Sequence, residues 1–446
     1  MYATIDIETT GLSRFEHDIT WIGVGIYKDF EDEGRIFLFE NTDKGMDSFK
    51  RMCKKLRERH AKLIWQNGKF DTLFIKQKQG YLLPIHHDVM LMGTAYDLSA
   101  EHGLKAMAQK YLGVEDWDID KKTKLGKGDT DKLKAYLKLD VKYTWELFKF
   151  FYTRMNKTQR KVYSKLLLPA YKMYRSTEQN GIYIDLEGLD KVREEYKQKE
   201  VETLQVLKDQ YDINWNSPQQ VQDVFFNQEK LPTLKLSPKT GKPSADAKVL
   251  KKLASMGYEL PTQLLDYKFY YGAGSKFLSR WGNYAQYDGR IHPNFNITNV
   301  VTGRTSCSDP NLQQVPRNRD LRSLFTAPEG RVFIEADYSQ IELRVAAHYA
   351  QEPNMLRIYR EGGDIHTETA RTLCGGEPTK EDRGKAKAVN FGFLYGMQAK
   401  GFVDYAFDSY GVVFTPAEAE RYRDLFFQKY SRLLPWHDKM ERLCEA

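Results

Sequence analysis

Acidic side chains near the N-terminus are spaced in a way that suits metal binding. In the run Thr4-Ile5-Asp6-Ile7-Glu8-Thr9, a β-strand would place the two acids on one face and the two isoleucines on the other. Neighbouring carboxylates raise each other's pKa unless a cation lies between them. A lone Asp-x-Glu pair is more often part of a solvated edge strand, so this pair needs support from elsewhere in the chain.

Two further segments supply that support. Asp71 follows a strand-like stretch at Leu63 to Gln66, and Tyr136 and Asp140 have the four-residue spacing that shares one helix face. Carboxylate oxygens are the ligands that Mg²⁺ and Mn²⁺ prefer. Four carboxylates can hold a metal pair that activates a water in phosphodiester hydrolysis. We predict such a site, with Tyr136 orienting the water and with Asp6, Glu8, Asp71 and Asp140 as metal ligands.

A second group of reactive side chains lies in the C-terminal half. The run from Val332 to Asp337 has the composition of a β-strand and ends in a carboxylate that could hold a metal, although an isolated Asp can also cap a helix. Further on, one helix face is expected to carry two cations followed by two aromatic rings, which matches the polarity of a nucleotide. The alternative is an amphipathic helix with snorkelling cations. The four residues are Arg383, Lys387, Phe391 and Tyr395.

The surrounding sequence predicts the elements that position these residues. Residues 1 to 155 alternate strand-like and helical runs, which indicates an α/β domain. The basic, turn-rich segment Lys235 to Lys252 is predicted to be a loop, either facing phosphates or simply solvated. Strands are predicted at Tyr2 to Glu8, Trp21 to Tyr27 and Arg35 to Phe39, and helices at Lys165 to Gln179, Leu186 to Tyr211, Ile341 to Ala350 and from Arg383 onward.

Composition narrows the class of protein. A chain of 446 residues predicts two to three domains, and the excess of 68 Lys and Arg over 61 Asp and Glu is a weak indication of a polyanionic partner. Four scattered cysteines without a Cys-x-x-Cys pair disfavour a zinc site or a disulfide framework. We find no signal-peptide pattern and no apolar run of about 20 residues, so we expect a cytoplasmic protein without a membrane partner.

Both groups of residues resemble known families. The N-terminal acids and Tyr136 resemble the tyrosine-containing branch of the DEDD superfamily of 3′–5′ exonucleases, over the whole first domain. The C-terminal half resembles family A DNA polymerases of the polymerase I type. That resemblance rests on Asp337-Tyr-Ser-Gln-Ile-Glu342-Leu-Arg344 (motif A), Gly363-Asp-Ile-His366-Thr (the fingers histidine), Arg383 to Gly396 (motif B), and Thr302 to Ser306 with Pro310 to Pro316 (the primer–template minor-groove segment).

The resemblance implies a fold and domain boundaries. It implies an RNase H-like α/β exonuclease domain, built of a mixed sheet with helices, followed by an incomplete α+β right-hand polymerase domain. The implied divisions are 1–155 for the exonuclease, 156–187 for a linker and palm entry, 188–285 for the thumb, 286–345 for part of the palm with motif A, and 346–446 for part of the fingers with motif B.

The resemblance also implies roles in nucleotide addition. Asp337 would bind catalytic metals, and Lys387 would hold the triphosphate and protonate the departing pyrophosphate. Each active site would use two Mg²⁺ or Mn²⁺ ions, and the partners would be primer–template DNA, single-stranded 3′ ends and dNTPs. The other nucleotide-binding residues would be Glu342 against the ribose 2′ position, His366 and Arg383 at the phosphates, Phe391 on the sugar and Tyr395 at the template base. The DNA-binding residues would be Arg304, Asn311, Gln313, Gln314, Lys239 and Lys242.

One departure from the family matters most. The family's motif C, a His-Asp dipeptide in a β-hairpin that carries a second metal-binding Asp, is absent from this sequence. We reject His437-Asp438 as its equivalent because that pair lies in a predicted helix behind Pro435. We expect the N-terminal portion of a split or truncated polymerase, of phage type, that a partner chain carrying motif C completes. The alternatives are a stand-alone 3′–5′ exonuclease with an inactive polymerase remnant, and a non-catalytic DNA-binding or assembly subunit.

Overall fold

The computed structural model describes residues 1–445, which form two compact units. The first unit comprises residues 1–215 and 262–333, and the second comprises residues 216–261 and the chain from 334 onward. Among residues 1–445, no helix is long and apolar enough to cross a membrane.

A mixed five-stranded sheet organises the N-terminal part of the first unit. The strand order is β3-β2-β1-β4-β5, in which β1 pairs antiparallel with β2 and parallel with β4. β1 therefore lies in the middle of the sheet, with backbone partners on both sides. The strands are β1 (Tyr2–Thr9), β2 (Ile19–Tyr27), β3 (Arg35–Glu40), β4 (Lys62–Trp65) and β5 (His87–Asp88). The three strands predicted for this region are confirmed.

Helices pack against this sheet and share its core. That core contains buried side chains such as Ile5, Val24 and Phe148. The helices of this part are α1 (Asp43–Glu58), α2 (Gly68–Gln79), α3 (Val89–Tyr96), α4 (Leu104–Leu112), α5 (Lys121–Lys124), α6 (Thr130–Arg154) and α7 (Lys157–Val162), followed by a π-helical turn (Tyr163–Leu167) and α8 (Leu168–Asn180). The predicted helix at Lys165 to Gln179 is thus confirmed.

Helix α6 lies unusually close to the sheet. A Cβ atom added at Gly23 of β2 would lie 2.7 Å from Val141 of α6, so only glycine allows this approach. Farther along the same helix, Trp145 stacks on Tyr27 with ring centroids 4.2 Å apart. Because β2 pairs with β1 and places Gly23 opposite Asp6, this packing holds one face of α6 over the acidic residues of β1.

The rest of the first unit is mainly helical, with short strand pairs. Pairing joins β6 to β7 and β8 to β9, both antiparallel. Its elements are β6 (Ile182–Tyr183), α9 (Leu186–Lys208), the larger part of α12 (Glu259–Ala273), a π-helical turn (Gly274–Leu278), α13 (Ser279–Ala285), β7 (Arg290–Ile291), β8 (Asn294–Asn296), β9 (Ser306–Ser308), a 3₁₀ turn (Leu312–Gln314) and α14 (Arg319–Ser323).

The second unit is helical, with its own core around Phe393, Phe402 and Phe426. The predicted helices at Ile341 to Ala350 and from Arg383 are confirmed. Its helices are α10 (Pro218–Gln222) with a π-helical continuation (Asp223–Gln228), α11 (Ala247–Ser255), α15 (Ile341–Ala350), α16 (Pro353–Arg360), α17 (Ile365–Cys374), α18 (Lys380–Leu394), α19 (Ala399–Tyr410), α20 (Pro416–Lys429) and α21 (Leu433–Glu445).

Two secondary-structure predictions are wrong. The run from Val332 to Asp337 is not a strand, since it has no regular structure and Val332 and Ile334 are 82% and 88% exposed. Strand propensity is expressed only where neighbouring backbone pairs with the segment, and no strand within residues 1–445 pairs with this one. The predicted loop from Lys235 to Lys252 ends early, because Asp246 caps helix α11 by accepting from the Lys248 and Val249 backbone N–H groups.

Candidate functional site

Three carboxylates converge on the central strand of the sheet. One carboxylate oxygen from each of Asp6, Glu8 and Asp140 lies within 4.8 Å of the others. The period-two alternation of β1 places Asp6 and Glu8 on the same face, and the close packing of α6 brings in Asp140. Within residues 1–445, this is the only group of three or more His, Cys, Asp or Glu ligands that comes so close together.

The fourth predicted ligand, Asp71, lies at the edge of this cluster. It belongs to the first turn of α2, and its Oδ1 atom accepts a hydrogen bond of 3.2 Å from the backbone N–H of Ile7 in β1. Its charge contributes to the raised pKa values of Asp6 and Glu8, so it acts on the same cluster. The structure therefore brings together all four acids that the sequence selected.

The four acids are held without an adequate counter-charge. Burial, reinforced by the neighbouring carboxylates, raises the pKa of Glu8 to about 8. Burial also raises the pKa of Asp140 to about 6 and the pKa values of Asp6 and Asp71 well above the ordinary value. Buried carboxylates that repel one another in this way fit a hard divalent cation, which oxygen ligands bind.

Tyr136 lies one helical turn before Asp140 on α6 and faces the same cluster. Burial, followed by the charges of Asp140 and Glu8, raises the pKa of its hydroxyl far above the ordinary value, so the phenol stays protonated. Its oxygen lies 3.1 Å from the Nζ atom of Lys105 in α4. The phenol is thus held from one side by a cation and from the other by the acids.

Sequence reasoning missed four residues around this cluster. Trp117 donates its indole N–H to Oδ1 of Asp140 at 2.6 Å. Asp118 forms ion pairs with both Lys105 and Lys124, the latter at 2.5 Å. These residues lie on α4, on α5 and in the segment between them, and their spacing has no period that singles them out. Only the exonuclease resemblance, which covers the whole first domain, pointed to this region.

In the second unit, the residues selected for nucleotide binding lie on α18 and its neighbours. Arg383 forms a 2.7 Å ion pair with Asp364, a partner that the sequence did not reveal. His366 is buried, and its Nδ1 atom lies 2.8 Å from the amide nitrogen of Asn390. Burial lowers the pKa of His366 to about 4, so its ring is neutral at pH 7. The ring centroid of Phe391 lies 5.9 Å from that of His366.

A cavity of about 310 Å³ adjoins the end of this helix. It brings together Glu342 from α15 and Tyr395, the residue after α18, and its walls are almost entirely apolar. Tyr349 and Trp436 complete its lining. Glu342, predicted to act at the ribose 2′ position, and Tyr395, predicted to act at the template base, therefore line the same cavity.

Asp337 and Lys387 are not drawn into a comparable cluster. Asp337 is exposed on the irregular segment, and no group of three ligands forms around it within residues 1–445. Lys387 is exposed on α18, with its Nζ atom 5.9 Å from the ring centroid of Tyr410. The His437-Asp438 pair lies in α21 as predicted, and His437 bonds the carbonyl oxygen of Leu394 at 2.8 Å.

The residues selected for DNA contact are mostly exposed. Asn311 accepts from the backbone N–H of Gln313, whose side chain donates to Thr305 at 3.0 Å. Arg304 and Gln314 are exposed nearby in the same unit. In the second unit, Lys239 and Lys242 are exposed in a tight turn closed by the Ser237 N–H to Lys242 carbonyl bond.

Comparison with known proteins defines the class of both halves. Residues 187–446 match the family model described as DNA polymerase family A, and residues 2–156 match the model described as 3′–5′ exonuclease. The chain therefore belongs to DNA polymerase family A and carries a 3′–5′ exonuclease domain. The family and fold expected from the sequence are confirmed.

Individual relatives agree with this assignment. DNA polymerase I of Borreliella burgdorferi is 31% identical over 92% of this chain and 48% of its own length. DNA polymerase I of Pseudomonas aeruginosa is 30% identical over 88% of this chain and 45% of its own length. The chain thus spans about half the length, or less, of these curated relatives. The fold is similar to the polymerase domain of Pol1 from M. smegmatis, with a TM-score of 0.79, 22% identity and coverage of 100% of this chain and 75% of that one.

Proposed function

We propose that the N-terminal domain removes nucleotides from DNA 3′ ends by metal-dependent hydrolysis. The observation that carries this proposal is the convergence of the Asp6, Glu8 and Asp140 oxygens within 4.8 Å, with Asp71 bound to the same strand. These four residues would hold two Mg²⁺ or Mn²⁺ ions. When bound, such ions activate a water and stabilise the leaving 3′ oxygen.

The protein side chains orient the reaction around those ligands. Tyr136 stays protonated at neutral pH, so its hydroxyl can donate a hydrogen bond to the attacking water. Trp117 donates to Oδ1 of Asp140 and so fixes the orientation of that carboxylate. Lys105 and Lys124 place positive charge beside Glu8 and Asp140.

The test is Mg²⁺-dependent shortening of a 5′-labelled single-stranded oligonucleotide. The double variant Asp6→Ala plus Glu8→Ala should lose at least 1,000-fold of the rate. A matched control, Glu31→Ala plus Glu33→Ala, removes two exposed acids from the same domain and should keep wild-type activity. Persistence of trimming in the first variant would contradict the site assignment.

We further propose that the C-terminal half supplies part of a template-directed dNTP-adding site. Glu342 and Tyr395 lining one cavity and the Arg383, Lys387 and Phe391 series on α18 support this proposal. Nucleotidyl transfer needs two carboxylates to hold both ions, and the described residues offer Asp337 without a neighbouring cluster. We therefore propose that further sequence, in the same or a second polypeptide, supplies the other carboxylate and strands that pair with residues 332–337.

Primer extension distinguishes the candidates for this half. Extension by this chain only after addition of a polypeptide carrying a His-Asp hairpin would support a divided polymerase site. Trimming without extension under both conditions would favour a stand-alone exonuclease. DNA binding with neither activity would favour a DNA-binding or assembly subunit.

A further inference from the structure

We infer that Lys105 is a positioning residue for Tyr136, held in place by an ion-pair chain through Asp118 to Lys124. This inference rests on the proposed exonuclease function and deepens it. The site then contains, beside the four acids and the tyrosine, positively charged side chains on α4 and α5 and an acid in the segment between them.

Three contacts fix Lys105 at this place. Its Nζ atom lies 3.1 Å from the Tyr136 oxygen and 4.5 Å from the centroid of the same ring. It also forms an ion pair with Asp118. The side chain is only 23% exposed, so it is held against the phenol rather than extended into solvent.

Hydrogen-bond roles follow from the chemistry of the two groups. An ammonium group has three donors and no acceptor, so the Tyr136 oxygen must accept from Lys105. The phenolic hydrogen is then directed away from Lys105, towards the side where Asp140 lies one helical turn along α6. Lys105 thereby selects the orientation of the O–H bond that faces Asp140 and the neighbouring acids.

Asp118 and Lys124 keep Lys105 from being drawn into the acidic cluster. Asp118 accepts from both lysines, and Lys124 lies 2.5 Å from it and 5.6 Å from the Tyr136 ring centroid. Both cations therefore lie over the Tyr136 ring, with Nζ atoms 4.5 Å and 5.6 Å from its centroid. A lysine without this tether could instead pair directly with Glu8 or Asp140 and compete with the metal ions.

The matched variants are Lys105→Met, which keeps the chain length and removes the charge, and Lys105→Arg, which keeps the charge. Lys110→Met is the control, because Lys110 lies on the same helix but pairs with Asp97. We expect Lys105→Met to lower the single-turnover trimming rate 10- to 100-fold while changing oligonucleotide affinity less than threefold. Lys105→Arg should recover most of the rate, and Lys110→Met should match the wild type.

A double-mutant cycle with Tyr136→Phe separates positioning from other roles. If Lys105 acts through the tyrosine hydroxyl, Lys105→Met should slow the Tyr136→Phe enzyme less than threefold. Losses that multiply, or an affinity loss that accounts for the whole effect, would overturn the inference. Wild-type protein that fails to trim DNA at all would instead overturn the proposed function, so the two failures are distinguishable.

Discussion

Removing one carboxylate from the acidic cluster should stabilise the metal-free protein while abolishing the exonuclease activity that we propose for it. Glu8 is the best position to test, because burial and the repulsion of Asp140 and Asp71 raise its pKa to about 8. Its amide counterpart, Glu8→Gln, keeps the shape of the side chain and cannot ionise. A gain in stability on replacing a proposed metal ligand would indicate that the site is arranged for binding rather than for stability.

The size of the effect follows from the linkage between pKa and stability. An unfolded glutamate ionises near pH 4.5 and the folded Glu8 near pH 8, so the folded state binds more protons between these values. Stability is therefore lost as pH rises through this window. At about 1.4 kcal/mol per pH unit the full difference is at most about 5 kcal/mol. Since the remaining acids still repel one another, we expect Glu8→Gln to recover about 1–3 kcal/mol at pH 8 and almost nothing at pH 4.5.

The assay is urea unfolding in EDTA at pH 4.5 and pH 8, followed at pH 8 by titration with Mg²⁺. The metal should stabilise the wild type more than Glu8→Gln, because the variant lacks one ligand. Glu31→Gln, which removes an exposed acid, should change none of these values. Equal stability of wild type and Glu8→Gln at pH 8 would refute the view that these acids are destabilised by burial and repulsion.

Variants at three further places test the surrounding structure. Gly23→Val should push α6 from the sheet, because even a Cβ atom would lie 2.7 Å from Val141. We expect the free energy of unfolding to fall by about 1–3 kcal/mol and DNA trimming to be lost. Wild-type stability and activity would contradict this packing. Lys69→Met should cost about 3–5 kcal/mol in urea unfolding, because it leaves Glu178 buried without its ion-pair partner; Lys69→Met plus Glu178→Met should recover part of that loss. Burial lowers the pKa of His366 to about 4, so the unfolded state binds more protons than the folded state between pH 6.5 and 4. The free energy of unfolding should therefore fall by up to about 3 kcal/mol as pH falls through that window. His366→Asn should remove this pH dependence, and an unchanged dependence would exclude His366 as its source.

Local periodicity accounts for two pairs of residues at the acidic cluster, whereas Asp71 was selected because it follows a strand-like stretch. Strand alternation places Asp6 and Glu8, and the four-residue helical spacing places Tyr136 and Asp140. Residues whose role depends on contacts between distant parts of the sequence were not predicted. Lys105 reaches Tyr136 across 31 positions of sequence, and no residue pattern indicates that the two helices bring them together.

The same distinction explains the errors and omissions in the second unit. The periodicity of α18 predicted a row of cations and aromatics, but not that Asp364, 19 residues earlier, holds Arg383. The ion pair is partly exposed on both sides, so it is worth no more than about 1 kcal/mol and leaves Arg383 available to an anion. A run of β-branched residues cannot by itself reveal whether a pairing partner is present.

The carboxylates of the two halves are of the same residue types, but the backbone that carries them is held in place to different degrees. Asp6 and Glu8 lie on a strand that pairs along its length with β2 and, near its start, with β4, so the backbone that carries them has few alternatives. Asp337 lies on a segment whose Phe333 and Ile334 side chains are exposed and whose backbone belongs to no sheet within residues 1–445. Metal binding requires carboxylate oxygens held at defined separations. If further strands pair with residues 332–337 as we propose, they would cover these side chains and fix Asp337, so that folding and metal binding there would become one step.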